Sequence, residues 1–204
     1  MLTKTHFTRF VAKCDLPTAF GCFKAFAFER SVPESASLEC LALVRGDVRD
    51  KERVLVRIHS ECLTGDALGS LRCDCGDQLG IAMHALADSR EGVLVYVKGH
   101  EGRGVGLLNK IRAYALQDKG ADTVDANIRL GFEVDARTYD IAVDALRFLG
   151  IRSVKLMTNN PMKVEALTNA GVSVDERVGV STATQQHNAR YLDAKRTRMG
   201  HLFD

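Results

Sequence analysis

Three of the six cysteines lie in one short stretch of the sequence: Cys62, Cys73 and Cys75. Polar residues such as Thr64, Asp66 and Arg72 stand between them, where buried structural cysteines usually have apolar neighbours. Three thiolates could fill three positions around a tetrahedral zinc ion and leave the fourth for water, which is the pattern of a catalytic site. The spacing is not the paired C-x-x-C of zinc fingers. Two alternatives therefore stay open: a four-ligand structural site that includes His59, or buried thiols without a metal.

Two further segments have the composition of anion-binding turns. Residues 99–106 contain four glycines and Arg103 before a predicted helix, so backbone N–H groups and a guanidinium could approach a phosphate. They match neither a P-loop nor the dinucleotide fingerprint, and a simple connecting turn is the more frequent origin of such a string. Residues 158–163 place Thr158 at a strand end and Lys163 in the first turn of a helix. Ordinary helix capping accounts equally for that second pattern.

A polar segment before a predicted helix contains Asp135 and Arg137. Most acidic residues at such positions are favoured by the helix dipole alone, without a catalytic role. Tyr114 lies within the helix that follows the glycine-rich segment, where a packing role with the hydroxyl at the rim is the default. On residue type alone, these three side chains are only candidates.

The overall composition argues against several classes of protein. The chain has 28 basic and 26 acidic residues and a net charge of +2, so it lacks the basic excess of proteins that bind mainly nucleic acid. No stretch is apolar enough for a signal peptide or for the roughly 20 residues of a membrane span. We therefore expect a cytoplasmic protein, in which cysteines are thiols or metal ligands rather than disulfides.

Periodicity predicts an α+β fold with a mixed, largely antiparallel sheet and helices packed against it. Residues 1–56 alternate as short strands with a break at 33–35, and later strands are predicted at 93–97, 153–157 and 172–174. Helices are predicted at 76–87, from about 107 with Leu108, Ile111 and Ala115 on one face, at 138–149, and after the Asn160-Pro161 start signal. Residues 1–204 are expected to form one domain. Residues 182–204 form a polar tail that is either a surface helix or a mobile end.

Five ordered motifs together resemble GTP cyclohydrolase II, the enzyme that commits GTP to riboflavin synthesis. They are H-S-E-C-L-T-G-D at 59–66, S-L-R-C-D-C-G at 70–76, E-G-R-G-V-G-L at 101–107, K-I-R-A-Y-A-L-Q-D at 110–118 and T-N-N-P at 158–161. The resemblance extends from about residue 15 to 201. The chain departs from the common pattern before E-G-R, where it has Lys98-Gly99-His100, and at Cys40.

The resemblance implies a zinc hydrolase that opens the imidazole ring of GTP, releases C8 as formate and also releases pyrophosphate. Cys62, Cys73 and Cys75 would hold the zinc ion. The implied nucleotide contacts are Arg57, Ile58, His59, Ser60, Glu61, Gln78, Glu101, Gly102, Arg103, Thr123, Thr158 and Lys163. A single Mg²⁺ ion on the triphosphate and a homodimer are also implied, with neither nucleic acid nor membrane as a partner.

The resemblance also assigns roles to three further residues. Asp135 matches a proton acceptor, Arg137 a proposed nucleophile on the α-phosphate, and Tyr114 a tyrosine near the zinc water. A guanidinium has no free lone pair at neutral pH, so stabilising negative charge is the more natural role for Arg137. Two alternatives stay open: a variant that stops at the formamidopyrimidine, and a non-catalytic nucleotide-binding module with structural zinc.

Overall fold

A computed structural model describes residues 7–31 and 37–203 of the chain, so the predicted break at 33–35 lies outside the described residues. The strands are β1 Thr8–Thr18, β2 Gly21–Arg30, β3 Leu38–Arg45, β4 Val54–Ser60, β5 Gly92–Val97, β6 Ser153–Met157 and β7 Ser173–Val178. The helices are α1 Leu63–Asp66, α2 Cys75–Asp88, α3 Glu101–Gly104, α4 Leu107–Gln117, α5 Thr123–Arg129, α6 Asp140–Phe148, α7 Pro161–Asn169 and α8 Ala189–Met199. No helix in the described ranges is long and apolar enough to cross a membrane.

All seven strands form one sheet in the order β1-β2-β3-β5-β4-β6-β7. The pairings among β1, β2, β3 and β5 are antiparallel, whereas β4 pairs in parallel with β5 and β6, and β6 with β7. The predicted α+β fold with a mixed sheet is therefore confirmed. Its antiparallel part comprises β1, β2, β3 and β5, and its parallel part comprises β5, β4, β6 and β7, whose connections contain helices.

Helices cover both faces of the sheet. The larger core lies under α6 and includes Val56, Ile58 and Leu146, while a smaller core lies under α2 and includes Leu86 and Leu94. Full burial of one such side chain stabilises the fold by about 1.5–3 kcal/mol. Because β5 is apolar towards both faces and β4 is apolar towards the α6 side, the two strands form a buried centre from which the following loops project.

The predicted helices are present, but the buried face of α4 is not the face that its apolar residues predict. In α7, Asn160 caps the helix by accepting a hydrogen bond from Met162 N at 3.0 Å, as its sequence signature predicts. In α4, however, Leu108 and Ile111 are 75% and 49% exposed, and Lys110 and Ala113 are buried instead. Apolar periodicity does not identify the inner face here, because that face meets polar groups and not the core.

Candidate active site

The site is formed where three parallel strands end. The carboxyl ends of β4, β5 and β6 lie side by side, and loops after such neighbouring ends are the usual ligand sites of α/β sheets. Here the loops contain the cysteine stretch after β4, the glycine-rich segment after β5 and Thr158 after β6. The fold thus brings together three segments that are up to 100 residues apart in the sequence.

Alternation along β4 decides which of its residues reach the site. Arg57 and His59 point towards the α2 side and line a pocket there. Ile58 points to the opposite face, is fully buried in the core, and offers only its carbonyl oxygen, which accepts a hydrogen bond from Lys163 Nζ at 2.8 Å. Among the predicted nucleotide contacts, the Ile58 side chain therefore lies outside the pocket.

The three clustered cysteines meet at the ends of α1 and α2. Their sulfur atoms lie within 4.8 Å of one another, and Cys62 Sγ is 3.7 Å from Cys73 Sγ. Gly65 leaves room for them, because a Cβ atom there would lie 2.9 Å from the Cys73 sulfur. Among residues 7–31 and 37–203, this is the one group of three or more His, Cys, Asp or Glu donors arranged so that it could hold a metal ion. Buried thiols in this arrangement fit a soft cation such as zinc.

The three thiols differ in how readily they lose a proton. Hydrogen bonds from Cys73 and Cys75, together with the Lys110 ammonium, lower the pKa of Cys62 far below its ordinary value despite burial. The hydrogen bond to Cys62, burial and the Cys62 charge raise the pKa of Cys73 to about 11, and the pKa of Cys75 is raised for the same reasons. A metal ion would replace the protons of these two thiols.

His59 does not belong to this cluster. Its Nε2 lies 3.0 Å and 3.1 Å from the two carboxylate oxygens of Asp66, and its ring stacks on Tyr96. Asp66 also accepts hydrogen bonds from Cys62 N at 3.0 Å and from the Tyr96 hydroxyl at 2.8 Å. The geometry therefore does not support a four-ligand site that includes His59, which instead anchors the loop that presents Cys62.

Lys110 provides a buried positive charge beside the thiols. Its Nζ lies 3.0 Å from Cys62 Sγ and 2.8 Å from Thr64 Oγ1, and it forms an ion pair with Glu101. The other Glu101 oxygen accepts from Leu63 N at 2.6 Å. Glu101, a predicted nucleotide contact, thus uses both carboxylate oxygens within the protein, whereas Lys110 is a site residue that the sequence reasoning did not select.

Two adjoining pockets join the cysteines to a cationic region. The first, of about 560 Å³, contains the cysteine cluster and Tyr114; the second, of about 550 Å³, contains Arg57, Lys163 and Thr158. Both are lined by Ser60, Cys75, Arg103, Arg137 and Tyr191. These shared residues place the two pockets side by side; together they are called the cleft, with the cysteine cluster in the first pocket and Arg57 and Lys163 in the second.

The cationic end has buried donors without partners. Burial, together with Arg57 and Arg137, lowers the pKa of Lys163 well below its ordinary value. Seven buried side-chain atoms lack a hydrogen-bond partner within the described residues: Arg57 Nε, His59 Nδ1, His100 Nε2, Arg103 Nη1, Tyr139 Oη, Asn160 Nδ2 and His201 Nδ1. Five of these residues, Arg57, His59, Arg103, Asn160 and His201, line the second pocket, and unpaired buried groups are costly unless a ligand pairs with them. A multiply charged anion has the chemistry that this end of the cleft requires.

The E-G-R turn adopts an unusual backbone that explains its glycine. Gly102 and Arg103 have φ values of +61° and +69°, and a Cβ on Gly102 would lie 2.9 Å from Val105 Cγ2. A non-glycine residue at positive φ is uncommon and marks strain that functional sites often hold. The turn directs Arg103 into the cleft, where its Nη2 donates to Thr123 Oγ1 at 3.3 Å. Arg103 and Thr123, each implied by the resemblance as a nucleotide contact, therefore lie next to each other.

Asp135 and Arg137 form a tight buried pair. Arg137 Nε donates to Asp135 Oδ1 at 2.8 Å, and Nη2 donates to Oδ2 at 2.5 Å. Burial alone would raise the pKa of Asp135, but the Arg137 guanidinium outweighs it and lowers that pKa. The same pairing outweighs burial at Arg137 and raises the pKa of its guanidinium above the ordinary value. Asp135 is therefore ionised and orients a permanently charged Arg137, which lines both pockets.

Tyr114 faces the thiol end of the cleft. The Arg72 guanidinium lies 4.4 Å from the centre of its ring, and Lys110 Nζ lies at 5.6 Å. Burial raises the pKa of the phenol, so it stays protonated and can donate a hydrogen bond at neutral pH.

His100 is a buried site residue that the sequence reasoning noted only as a departure from the family pattern. Its Nδ1 lies 3.1 Å from Ser60 Oγ, its Nε2 is unpartnered, and its ring packs edge-on to Tyr139. Burial and the charges of Arg137 and Lys163 lower its pKa to about 3. His100 is neutral in the folded protein at any pH near 7.

This pKa predicts a pH-dependent stability. Below about pH 6.5 the unfolded chain binds a proton at His100, whereas the folded chain does not until about pH 3, so stability is lost as pH falls. We expect the free energy of unfolding to drop by about 2 kcal/mol more between pH 7 and pH 5 in the parent than in His100→Gln. Urea denaturation at both pH values measures this difference. Equal losses in the two proteins would contradict the assignment.

Three clustered thiols beside a pocket of buried cationic side chains are typical of a metal-dependent enzyme that binds a phosphorylated compound. The GTP cyclohydrolase II family model matches residues 8–179. The chain is 53% identical over 192 residues to GTP cyclohydrolase-2 of Baumannia cicadellinicola subsp. Homalodisca coagulata, with 94% of each chain covered. It is 55% identical over 193 residues to GTP cyclohydrolase-2 of Azotobacter vinelandii, covering 95% of this chain and 91% of the relative. The chain belongs to the GTP cyclohydrolase II family, which confirms the predicted resemblance.

A solved structure supports the fold. The two-domain 3,4-dihydroxy-2-butanone 4-phosphate synthase from A. baumannii is similar with a TM-score of 0.50 and 18% identity. The alignment covers 86% of this chain and 41% of that chain. At this identity the likeness concerns the fold alone.

Proposed function

We propose that this chain hydrolyses GTP as the first step of riboflavin biosynthesis. The imidazole ring is opened, C8 leaves as formate, and pyrophosphate leaves from the triphosphate, giving 2,5-diamino-6-(5-phosphoribosylamino)pyrimidin-4(3H)-one. The proposal rests on the two adjoining pockets, one with three clustered thiols and the other with buried cationic side chains. A purine nucleoside triphosphate has its base at one end and its negative charge at the other, which matches this polarity.

Cys62, Cys73 and Cys75 would hold one zinc ion in this account. When bound by three protein ligands, zinc lowers the pKa of a coordinated water to about 7 and supplies hydroxide at neutral pH. The Lys110 ammonium and the Glu101 carboxylate fix the position of the Cys62 sulfur. The Tyr114 phenol, protonated at neutral pH, can donate a proton to the departing ring nitrogen.

The cationic end would bind the triphosphate together with one Mg²⁺ ion. Arg57 of β4, Arg103 of α3 and Lys163 of α7 line it and offer donors to phosphate oxygens. Arg137 stabilises the charge that develops on the α-phosphate, and the paired Asp135 keeps its guanidinium oriented. The same pairing lowers the pKa of Asp135, which works against the role of proton acceptor that the resemblance implies. A cytoplasmic location completes the proposal.

Product analysis tests this function and separates it from its alternatives. Zinc-loaded protein incubated with GTP and Mg²⁺ should yield one formate and one pyrophosphate per GTP, with the product identified by mass spectrometry. A product that retains the formyl mass would indicate a variant that stops at the formamidopyrimidine. Intact GTP after prolonged incubation would contradict the proposal and favour a binding module with structural zinc.

A homodimer is also part of the proposal, and the exposed apolar face of α4 supports it. Leu108 and Ile111 lie on this face, and the neighbouring loop exposes Leu68 and Leu71. An Arg72–Asp118 ion pair of 2.8 Å ties that loop to the end of α4. Several exposed apolar side chains on one helix and its neighbouring loop are typical of subunit interfaces.

Replacing Leu108 with glutamate should therefore disrupt the dimer. A charge placed in a desolvated interface is strongly unfavourable, and we expect the mass in light scattering to fall towards the 22.4 kDa of one chain. Leu202→Glu serves as the control, since Leu202 is exposed but lies beyond α8. A dimeric Leu108→Glu protein would place the interface elsewhere.

A further inference from the structure

Helix α8 lies over the cationic end of the cleft. Leu192 and Ala194 are buried against the rest of the chain, and Tyr191 lines both pockets. The segment after the helix is also fixed, because Leu202 N donates to Asn159 O at 2.8 Å. His201, just before it, lines the second pocket with an unpartnered Nδ1. The polar tail of the sequence thus forms one wall of the site.

A buried ion pair connects this helix to the residue between two of the clustered cysteines. Lys195 Nζ lies 2.6 Å from Asp74 Oδ1, and Asp74 is fully buried. The ammonium also lies 4.4 Å from the centre of the Tyr191 ring, a cation–π distance. Breaking a buried pair by removing one partner is strongly unfavourable, so this contact holds both groups in one geometry.

A chain of hydrogen bonds continues from this ion pair to Arg57. Asp74 Oδ2 accepts from Gln78 Nε2 at 2.6 Å, and Gln78 Oε1 accepts from Arg57 Nη2 at 2.6 Å. Arg57 Nη1 donates to Met157 O at 2.9 Å, which fixes the guanidinium plane, while its Nε stays buried without a partner. The orientation of the Gln78 amide is fixed by its neighbours. Its NH₂ group faces the Asp74 carboxylate, which only accepts, and its oxygen faces the Arg57 guanidinium, which only donates.

We propose that Lys195 is a positioning residue for the anion end of the site, acting through Asp74 and Gln78 to hold the Arg57 guanidinium in its binding orientation. This inference rests on the proposed function, because it gives the C-terminal helix a role in holding the triphosphate. Without Lys195, the Asp74 carboxylate is uncompensated and can draw the Gln78 amide and the Arg57 side chain into a new arrangement. The effect of Lys195 on anion binding then depends on Arg57.

A double-mutant cycle on the zinc-loaded full chain tests this dependence, with inorganic pyrophosphate as the calorimetric ligand. We expect Lys195→Met and Arg57→Met each to weaken pyrophosphate binding about tenfold or more, as for a buried charge pair that loses one partner. The double variant should bind within about threefold of the weaker single variant, because interacting residues are not additive. Lys195→Arg, which keeps the charge, should recover most of the loss.

Arg198→Met is the matched control, because it weakens the packing of α8 on the rest of the chain without changing the hydrogen bonds that lead to Arg57. Arg198 pairs with Asp122 and Asp125 at the surface, so its loss removes an ion pair of α8 without touching the chain to Arg57. We expect a change of less than about twofold. Thermal melting verifies folding, and Lys195→Gln, which can still donate to Asp74, replaces Lys195→Met if that variant does not fold.

The outcomes separate this inference from the proposed function. Additive losses would mean that Lys195 contacts the anion independently and would overturn the positioning role, as would an unchanged affinity in Lys195→Met. Failure of the parent to bind pyrophosphate would overturn it as well. Formate release from GTP by the same preparation reports the proposed function separately, so either can fail while the other stands.

Discussion

Replacing Cys73 with serine should produce the largest loss of formate release from GTP. The Cys73 sulfur lies 3.7 Å from that of Cys62 in a cluster with one ammonium beside it, so the loss removes a ligand from the proposed zinc site. Zinc contributes several kcal/mol to stabilising the transition state, and we expect the rate to fall on the order of 10³-fold or more. Formate quantification and zinc analysis on one preparation measure both consequences.

Cys14→Ser is the control for this substitution, because Cys14 is an exposed cysteine of β1 and lies outside the cluster. It should keep both zinc and turnover. Circular dichroism should show that Cys73→Ser retains its secondary structure, since the cores under α2 and α6 do not depend on the thiols. Full turnover by a zinc-free Cys73→Ser protein would contradict a catalytic role for the cluster.

Replacing Arg137 with methionine will produce the second largest loss. Arg137 lines both pockets, and its pairing with Asp135 raises the pKa of the guanidinium, so it is a permanent positive charge in the middle of the cleft. Removal of one preorganised donor of this kind lowers kcat by about 10²–10³-fold. Formate release and pyrophosphate release are measured separately. We expect the rate of pyrophosphate release to fall more.

Arg137→Lys distinguishes an electrostatic role from a covalent one. Lysine keeps the charge but not the two-pronged pairing with Asp135, so we expect it to recover about tenfold of the activity lost in Arg137→Met. The double variant Asp135→Asn/Arg137→Met is the control, because Arg137→Met alone leaves the Asp135 carboxylate without its partner. A phosphorylated Arg137 isolated during turnover would contradict the purely electrostatic role.

Much of the scaffold could be predicted from local patterns. The Asn160-Pro161 start signal, the apolar stripe of α6 and the run of valines in β5 depend on interactions close in the sequence, and the structure has all three elements. The cysteine cluster was predictable for a similar reason, because its members are separated by 13 residues at most. Local patterns thus indicate where helices and strands form and which segments contain chemically reactive residues.

The remaining features depend on contacts that are distant in the sequence. Lys110 is buried because α4 turns towards the cysteine loop, 46 or more residues away, and no periodicity rule places a lysine inward. Lys195 pairs with Asp74 across 121 residues, so the polar composition of α8 resembled that of a free tail. Ile58 was included with its neighbours in the resemblance, but strand alternation turns its side chain into the core.

The zinc K-edge X-ray absorption spectrum of the zinc-loaded protein is the measurement that bears most directly on the central claim. We expect three sulfur scatterers at about 2.3 Å from zinc and one oxygen or nitrogen scatterer at about 2.0 Å, without the multiple-scattering pattern of imidazole. Addition of GTP should perturb the light scatterer and leave the three sulfurs unchanged. A site with four sulfurs, or with an imidazole in the fourth position, would be closed to water and would contradict it.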